Sequence, residues 1–117
     1  MTPDSPDQFL LSSAELAEGQ FREARAELHG KPLWLVVTRY QGKPKGWLNV
    51  CPHQGRSLNW APDQFISDDA GNLVCAAHGA VFEAGTGDCV GGPCLGAALK
   101  PVKIAERDGN LVFCPDP

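Results

Sequence analysis

An all-β protein is predicted for this chain of 117 residues. Three observations support it. Apolar and β-branched runs are short, 13 Gly and 10 Pro supply frequent turns between them, and the strongest run, residues 33–40 (LWLVVTRY), combines β-branched with aromatic side chains as strands do. Many short strands separated by Gly and Pro turns define a small all-β fold. With 43% hydrophobic residues, the chain has material for one domain and one core. We expect a flexible tail over residues 1–11 and a single domain over residues 12–117.

The tail is rich in Pro and Asp. After it, Ser12 and Ser13 are placed to cap a short helical turn at residues 14–17, which Gly19 ends. Residues 21–28 (FREARAEL) are ambiguous, since Ala, Glu and Arg favour helix while Ala24, Ala26 and Leu28 alternate as in a strand. His29, Gly30 and Lys31 read as a tight turn before the strand at 33–40. Residues 41–46 (QGKPKG) read as a turn cluster, and residues 47–50 as a short strand running into Cys51. A polar stretch with Pro62, Asp63, Asp68, Asp69 and Gly71 leads to a strand at 72–74, which ends on Cys75. Beyond it lie Val81 and Phe82, a turn at 85–88, a Gly- and Pro-rich loop at 91–96, a strand near 99–105, a turn at 108–110 and a closing strand at 111–114.

No stretch approaches the roughly 20 apolar residues needed to cross a bilayer. The first 13 residues lack the basic start and long apolar centre of a signal peptide, so a soluble, cytoplasmic protein is expected. A formal net charge of −4 argues against nucleic acid, whose phosphates require clustered Lys and Arg. Mild acidity suits transient docking on a basic partner. Five cysteines are an odd number and cannot close into a complete disulfide framework, so their density points to metal.

The spacing supports that. Cys51-Pro-His53 and Cys75-Ala-Ala-His78 are separated by residues 54–74, and each sets one thiolate and one imidazole donor on a loop that follows a strand. Zinc accepts two Cys and two His. However, zinc sites usually pair like donors at C-x₂₋₄-C and H-x₃₋₅-H spacings, whereas each loop here mixes the two. Haem attachment is excluded, because Cys75-Ala-Ala-His78 lacks the second cysteine of C-x-x-C-H. Residues 59–71, between the two motifs, hold no Ser-His-Asp set, phosphate loop or paired acid motif, so catalysis by the chain itself is not expected.

Over roughly residues 10–115 the chain resembles a Rieske-type ferredoxin, or the Rieske domain of a ring-hydroxylating oxygenase system of the low-potential type. The matching residues are Cys51-Pro-His-Gln-Gly-Arg-Ser-Leu58, Cys75-Ala-Ala-His-Gly-Ala-Val-Phe82, Thr86-Gly87 and Gly92-Pro93. The resemblance implies three stacked antiparallel sheets with one [2Fe-2S] cluster at a tip. Two ligand loops hold that cluster and a proline-bearing third loop, matched by residues 91–96, covers it. It implies that one iron takes Cys51 and Cys75 and the other takes His53 and His78, and that electrons leave by the histidine edges. It also tips residues 21–28 toward strand. The function implied is one-electron transfer by a monomer from a flavin-dependent reductase to a terminal oxygenase or similar acceptor. The alternative is a small Rieske subunit of a larger oxidoreductase such as a nitrite reductase.

Two neutral imidazoles in place of two thiolates remove negative charge around the iron, so Rieske centres span roughly −150 to +300 mV against about −400 mV for plant-type ferredoxins. High-potential relatives in quinol-oxidising complexes add a disulfide between the ligand loops and Ser and Tyr hydrogen bonds to the sulfurs. Here those positions carry Arg56, Ala77, Ala80 and Phe82, which implies a potential near the lower end, about −150 mV. Cys89 and Cys94 flank the Gly-Gly-Pro loop closely enough for a disulfide or a further metal role. Set against that, free cysteine is often a small buried apolar residue and four ligands complete the cluster; Cys114 reads as core. His29 reads as a solvated turn residue, Trp34 and Trp47 as core, and Trp60 as packing beneath the first ligand loop. Residues 59–71 lengthen the gap between the ligand motifs. A redox titration tests the tuning: Phe82→Tyr should raise the midpoint potential, and a wild-type value well above zero would contradict this account.

Overall fold

The computed structural model describes residues 7–52, 55–77 and 79–114. Ten strands run in the order β1 (Gln8–Ser12), β2 (Phe21–Leu28), β3 (Lys31–Tyr40), β4 (Lys43–Leu48), β5 (Ile66–Ser67), β6 (Leu73–Val74), β7 (Val81–Phe82), β8 (Cys89–Gly91), β9 (Ile104–Arg107) and β10 (Asn110–Phe113). They form three antiparallel sheets, ordered β1-β10-β9, β2-β3-β4 and β5-β6-β7-β8. The expected all-β class and three-sheet architecture are observed.

Three two-residue hairpins join β2 to β3, β3 to β4 and β9 to β10. Their central pairs are His29-Gly30, Gln41-Gly42 and Asp108-Gly109, all with positive φ, as type I′ turns require at both positions. His29 is exposed there, as expected.

The sheet β2-β3-β4 lies between the other two. Leu35, Val36, Val37 and Thr38 are all fully buried, because both faces of β3 are covered. Successive strand residues point to opposite faces. Accordingly, Leu35 and Val37 join Leu11, Leu16, Leu111 and Phe113 in one core, while Val36 joins Trp47, Leu58, Leu73, Phe82 and Cys75 in the other. A strand buried on both faces reads as a continuous apolar run, which is why residues 33–40 stand out in the sequence. The Thr38 hydroxyl is satisfied by donating to Gln20 O at 2.7 Å.

Several sequence expectations need correction. The expected tail over residues 1–11 ends earlier: Gln8, Phe9 and Leu11 pair with β10, because the buried Leu11 supplies an anchor that composition alone does not weigh. Residues 1–6 lie outside the described residues. The helical turn is a single 3₁₀ turn, Ser13–Glu15. The turn after β3 is only Gln41-Gly42, and β4 starts at Lys43 with Pro44 opposite Arg39. Proline is accommodated because β4 ends its sheet, where a missing N–H leaves no ladder partner short. The strand expected near 99–105 is observed at Ile104–Arg107. Trp47 is core, but Trp34 is 49% exposed, with the Arg25 guanidinium 5.9 Å from its ring centroid, a cation–π distance.

The middle sheet is clamped to β9 by charge. Both terminal nitrogens of Arg39 donate to Glu106, one to each carboxylate oxygen, at 3.0 Å. This bidentate contact holds the Glu106 carboxyl down at about 2, against an ordinary value of 4.5. A folded-state pKa below the unfolded one gives stability that is complete above the unfolded value and is lost as pH falls through the folded one. Melting temperature should therefore fall between pH 4.5 and about 2. In Glu106→Gln, stability at neutral pH should be lower and this component of the acid loss should vanish.

Candidate metal centre

The two Cys-bearing loops have the same backbone design. In the first, Cys51 N donates to Arg56 O at 2.6 Å and Gly55 N to Cys51 O at 2.8 Å. In the second, Cys75 N donates to Ala80 O at 2.7 Å and Gly79 N to Cys75 O at 2.9 Å. Each cysteine is therefore followed, four residues on, by a glycine at φ +71° or +77°. That left-handed position reverses the chain and costs a side chain more than it costs glycine. The motifs Cys-x-x-x-Gly at 51–55 and 75–79 are thus a structural repeat, and each presents its thiol from the start of a closed turn.

The loops differ in their support. Residues 75–80 connect β6 to β7, so strand pairing holds both ends. Residues 51–58 leave β4 and have no such hairpin, and the side chain of Asn49 supplies the missing link. Asn49 is 3% exposed; its Oδ1 accepts from Leu58 N at 2.8 Å and its Nδ2 donates to Asn59 Oδ1 at 2.9 Å. Ala76 N donates to Leu58 O at 3.1 Å, tying the second loop to the first. The lengthened segment 59–71 is fixed to β2 through Asp63, which accepts from Glu23 N at 2.7 Å and from Arg22 Nε at 2.8 Å.

Cys51 and Cys75 are 3% and 1% exposed and belong to one core with Leu58, Ala80, Phe82, Cys89 and Cys94. The Gly- and Pro-rich segment after β8 lies directly on the second loop. A Cβ on Gly92, at φ +84°, would fall 2.8 Å from Ala80 Cα, so only glycine fits between the two backbones. Cys94 is buried, with its Sγ 3.4 Å from Cys89 Sγ, and both share one core with Cys51. Burial, then the Cys89 contact, pushes the Cys94 thiol up to about 12. None of the five cysteines forms a disulfide.

The sequence-derived site is therefore seen in part. Cys51 and Cys75 are brought into one buried core, whereas His53 and His78 lie outside the described residues. Cys114 is buried, as expected. Trp60, expected beneath the first loop, is instead 62% exposed, because Leu58 fills that place with no exposed surface. Sequence reasoning missed Asn49, a buried polar residue two positions before the first Cys.

Two matched turns that begin on buried thiols, roofed by a Gly-Pro loop, form the frame of a metal-cluster protein. The Rieske [2Fe-2S] domain family model matches residues 7–106. The chain belongs to that family, and its cofactor is one Rieske-type [2Fe-2S] cluster. The residues present fit this group, since soft thiolates held away from water with satisfied backbone amides suit an iron–sulfur cluster.

Solved structures share the fold. A ferredoxin of carbazole 1,9a-dioxygenase from Nocardioides aromaticivorans IC177 is 17% identical with a TM-score of 0.72, covering 96% of this chain and 100% of that one. A Sphingomonas yanoikuyae B1 ferredoxin is 20% identical with a TM-score of 0.69, covering 95% and 100%. The terminal oxygenase of carbazole 1,9a-dioxygenase from N. aromaticivorans IC177 is 24% identical with a TM-score of 0.72 over 97% of this chain, which spans only 31% of that oxygenase chain. No curated protein matches.

Asn49→Ala should strand the buried Leu58 N–H and destabilise the protein by about 1–3 kcal/mol, the penalty for an unsatisfied buried donor. Thermal unfolding measures this, and the visible absorbance of the cluster should be lost at a lower temperature than in wild type.

Proposed function

We propose that this chain is a one-electron carrier of the Rieske ferredoxin type, with its cluster held by Cys51 and Cys75 on one iron and by His53 and His78 on the other. The observation that carries the reading is the repeated turn, which gives the two Cys-to-Gly segments one backbone design and buries both thiols in one core. Full coverage of two ferredoxins, against about a third of the oxygenase chain, favours a stand-alone carrier over an oxygenase.

When bound, the cluster supplies a site that takes up and releases one electron. The protein's own groups do the rest. Backbone bonds at Cys51, Gly55, Cys75 and Gly79 fix the two turns whose thiolates would hold one iron. Phe82, Leu58 and Ala80 exclude water from the sulfur side, which sharpens electrostatic effects there. Pro52, Arg56 and Ala77, next to the histidine positions, are exposed, leaving that side free for a partner.

The proposed partners are a flavin-dependent reductase as donor and a terminal oxygenase or similar redox protein as acceptor. Structures titled as oxygenase and ferredoxin complexes of carbazole 1,9a-dioxygenase exist among the similar folds. Five cysteines with no disulfide between them suit a reducing compartment, and we propose a cytoplasmic location. Among the described residues no helix is long and apolar enough to cross a membrane.

Electron paramagnetic resonance of the dithionite-reduced protein tests the assignment. The expected result is the low-average-g signal of histidine coordination, with two irons and two labile sulfides per chain. His53→Cys or His78→Cys should lose that signal or lower the potential toward the all-cysteine range of about −400 mV. Protein without iron after anaerobic reconstitution would overturn the reading. Elution as a monomer is expected; obligate co-purification with a catalytic chain would favour the subunit alternative.

A further inference from the structure

Cys89 and Cys94 flank the Gly-Gly-Pro segment that roofs the second Cys turn, and the function proposed above gives neither a part. Backbone bonds hold them in register. Cys89 N donates to Ala97 O at 2.9 Å and Ala97 N donates to Cys94 O at 2.9 Å, while Cys89 lies opposite Phe82 in the β7-β8 ladder. Both side chains turn into the core, at 5% and 8% exposure, and their Sγ atoms lie 3.4 Å apart. Among the described residues no group of three Cys, His, Asp or Glu side chains is placed to hold a metal ion, so the two thiols stand as a pair.

Two sulfurs in contact have a chemistry that a single buried thiol lacks. To bond, they have to close from 3.4 Å to about 2.0 Å. The residues between them include Gly91 and Gly92, whose backbone adapts to a short ring. Cys94 is buried within an otherwise exposed stretch, since Gly92, Pro93, Leu95 and Gly96 are all exposed. A small oxidant therefore has one layer of chain to pass. Disulfides that form in a reducing compartment are typically transient and redox-sensing.

We propose that Cys89 and Cys94 are a reversible oxidation site, which a hydroperoxide converts to a disulfide that locks the roof on the second Cys turn. One cysteine sulfur attacks the peroxide, breaks its O–O bond and becomes a sulfenic acid as water leaves. The other attacks the sulfenic sulfur; the S–O bond breaks, the S–S bond forms and a second water leaves. Two thiols thus lose two electrons and two protons, and hydrogen peroxide takes up both to give two waters. A thiol reductant reverses the step by exchange.

The lock acts through the backbone. A Cβ on Gly92 would fall 2.8 Å from Ala80 Cα, and Ala80 O accepts from Cys75 N at 2.7 Å, so the roof rests on the residue that closes the turn. A cross-link from 89 to 94 removes freedom from the opened loop. The roof then opens less often, and a cluster held by that turn is released more slowly. The lock, though not the pairing of the two sulfurs, rests on the ligand assignment proposed above.

The test treats the cluster-loaded protein with equimolar hydrogen peroxide, then denatures it, alkylates it and cuts after glutamate. Glu83 and Glu106 bound a fragment, residues 84–106, whose cysteines are Cys89 and Cys94 alone. That fragment should resist alkylation and weigh two hydrogens less, with iron and labile sulfide retained, and dithiothreitol should restore two alkylated cysteines. Release of iron to a chelator should slow about tenfold. Cys89→Ser and Cys94→Ser should show no slowing, whereas Cys114→Ser should behave as wild type. Two alkylated cysteines after peroxide, sulfinic acid in place of a link, or a link without effect on iron release would overturn the proposal. The wild-type fragment map decides the chemistry even if a serine variant fails to fold. Wild type that never binds iron would overturn the ligand assignment and the lock together, whereas iron-loaded protein that keeps both thiols overturns this inference alone.

Discussion

The whole molecule depends on keeping two cysteine sulfurs out of water without leaving the backbone around them unpaired. A buried, unmet N–H costs about as much as one good hydrogen bond returns several times over, so a cluster loop cannot simply be inserted into a core. Here the amides of Cys51 and Cys75 are met five residues on, at Arg56 O and Ala80 O, and the carbonyls of the same cysteines are met four residues on, at Gly55 N and Gly79 N. Each loop becomes a self-contained turn, and its surroundings have only to hold the two ends. Strand pairing of Leu73 with Phe82 does this for the second loop. For the first, the carboxamide of Asn49 takes the place of a strand partner by accepting from Leu58 N.

That arrangement explains why the core is divided. The face of the middle sheet bearing Leu35 and Val37 packs on β1, β9 and β10, with no cofactor residue in that cluster. The opposite face, bearing Val36 and Trp47, carries the two Cys turns and their buried thiols. The first half is held by burial of aliphatic and aromatic side chains, whose stabilisation scales with the apolar area removed from water. The cofactor half contains more small and polarizable residues, including four of the five cysteines and Ala80 and Ala84. Part of its packing is therefore supplied by sulfur, which is soft and tolerant of shape.

Much of this was legible in the sequence wherever chemistry or turn geometry forces a residue. The Cys and His spacing, the X-Gly hairpin dipeptides and the doubly buried run at 33–40 all left clear marks. The failures concern tertiary context. Gln8 to Leu11 read as tail because Pro and Asp dominate the neighbouring composition, yet Leu11 closes the core opposite Leu111. Residues 43–46 read as turn because Pro and Gly mark loops, yet the end of a sheet tolerates both. Trp34 has the same strand character as Val36, two residues away on the same face, and is exposed because, among the described residues, nothing covers that face so far along. Asn49 shows nothing unusual in sequence beyond its place before Cys51, since its role is set by Leu58, nine residues later.

Gly92 shows what the roof over the second turn demands of the backbone. A Cβ there would fall 2.8 Å from Ala80 Cα and 3.0 Å from Gly79 O, so any side chain would force the two loops apart. Glycine has the greatest conformational freedom to lose on folding, yet it is the residue that accepts both the positive φ and this contact. The same approach sets the depth of the loop that carries Cys94, whose Sγ packs 3.4 Å from Cys89 Sγ inside the core. Burial of Cys75 to 1% exposure therefore depends on a glycine in a neighbouring loop, and a residue that looks like simple turn chemistry governs how far water is kept from the second thiol.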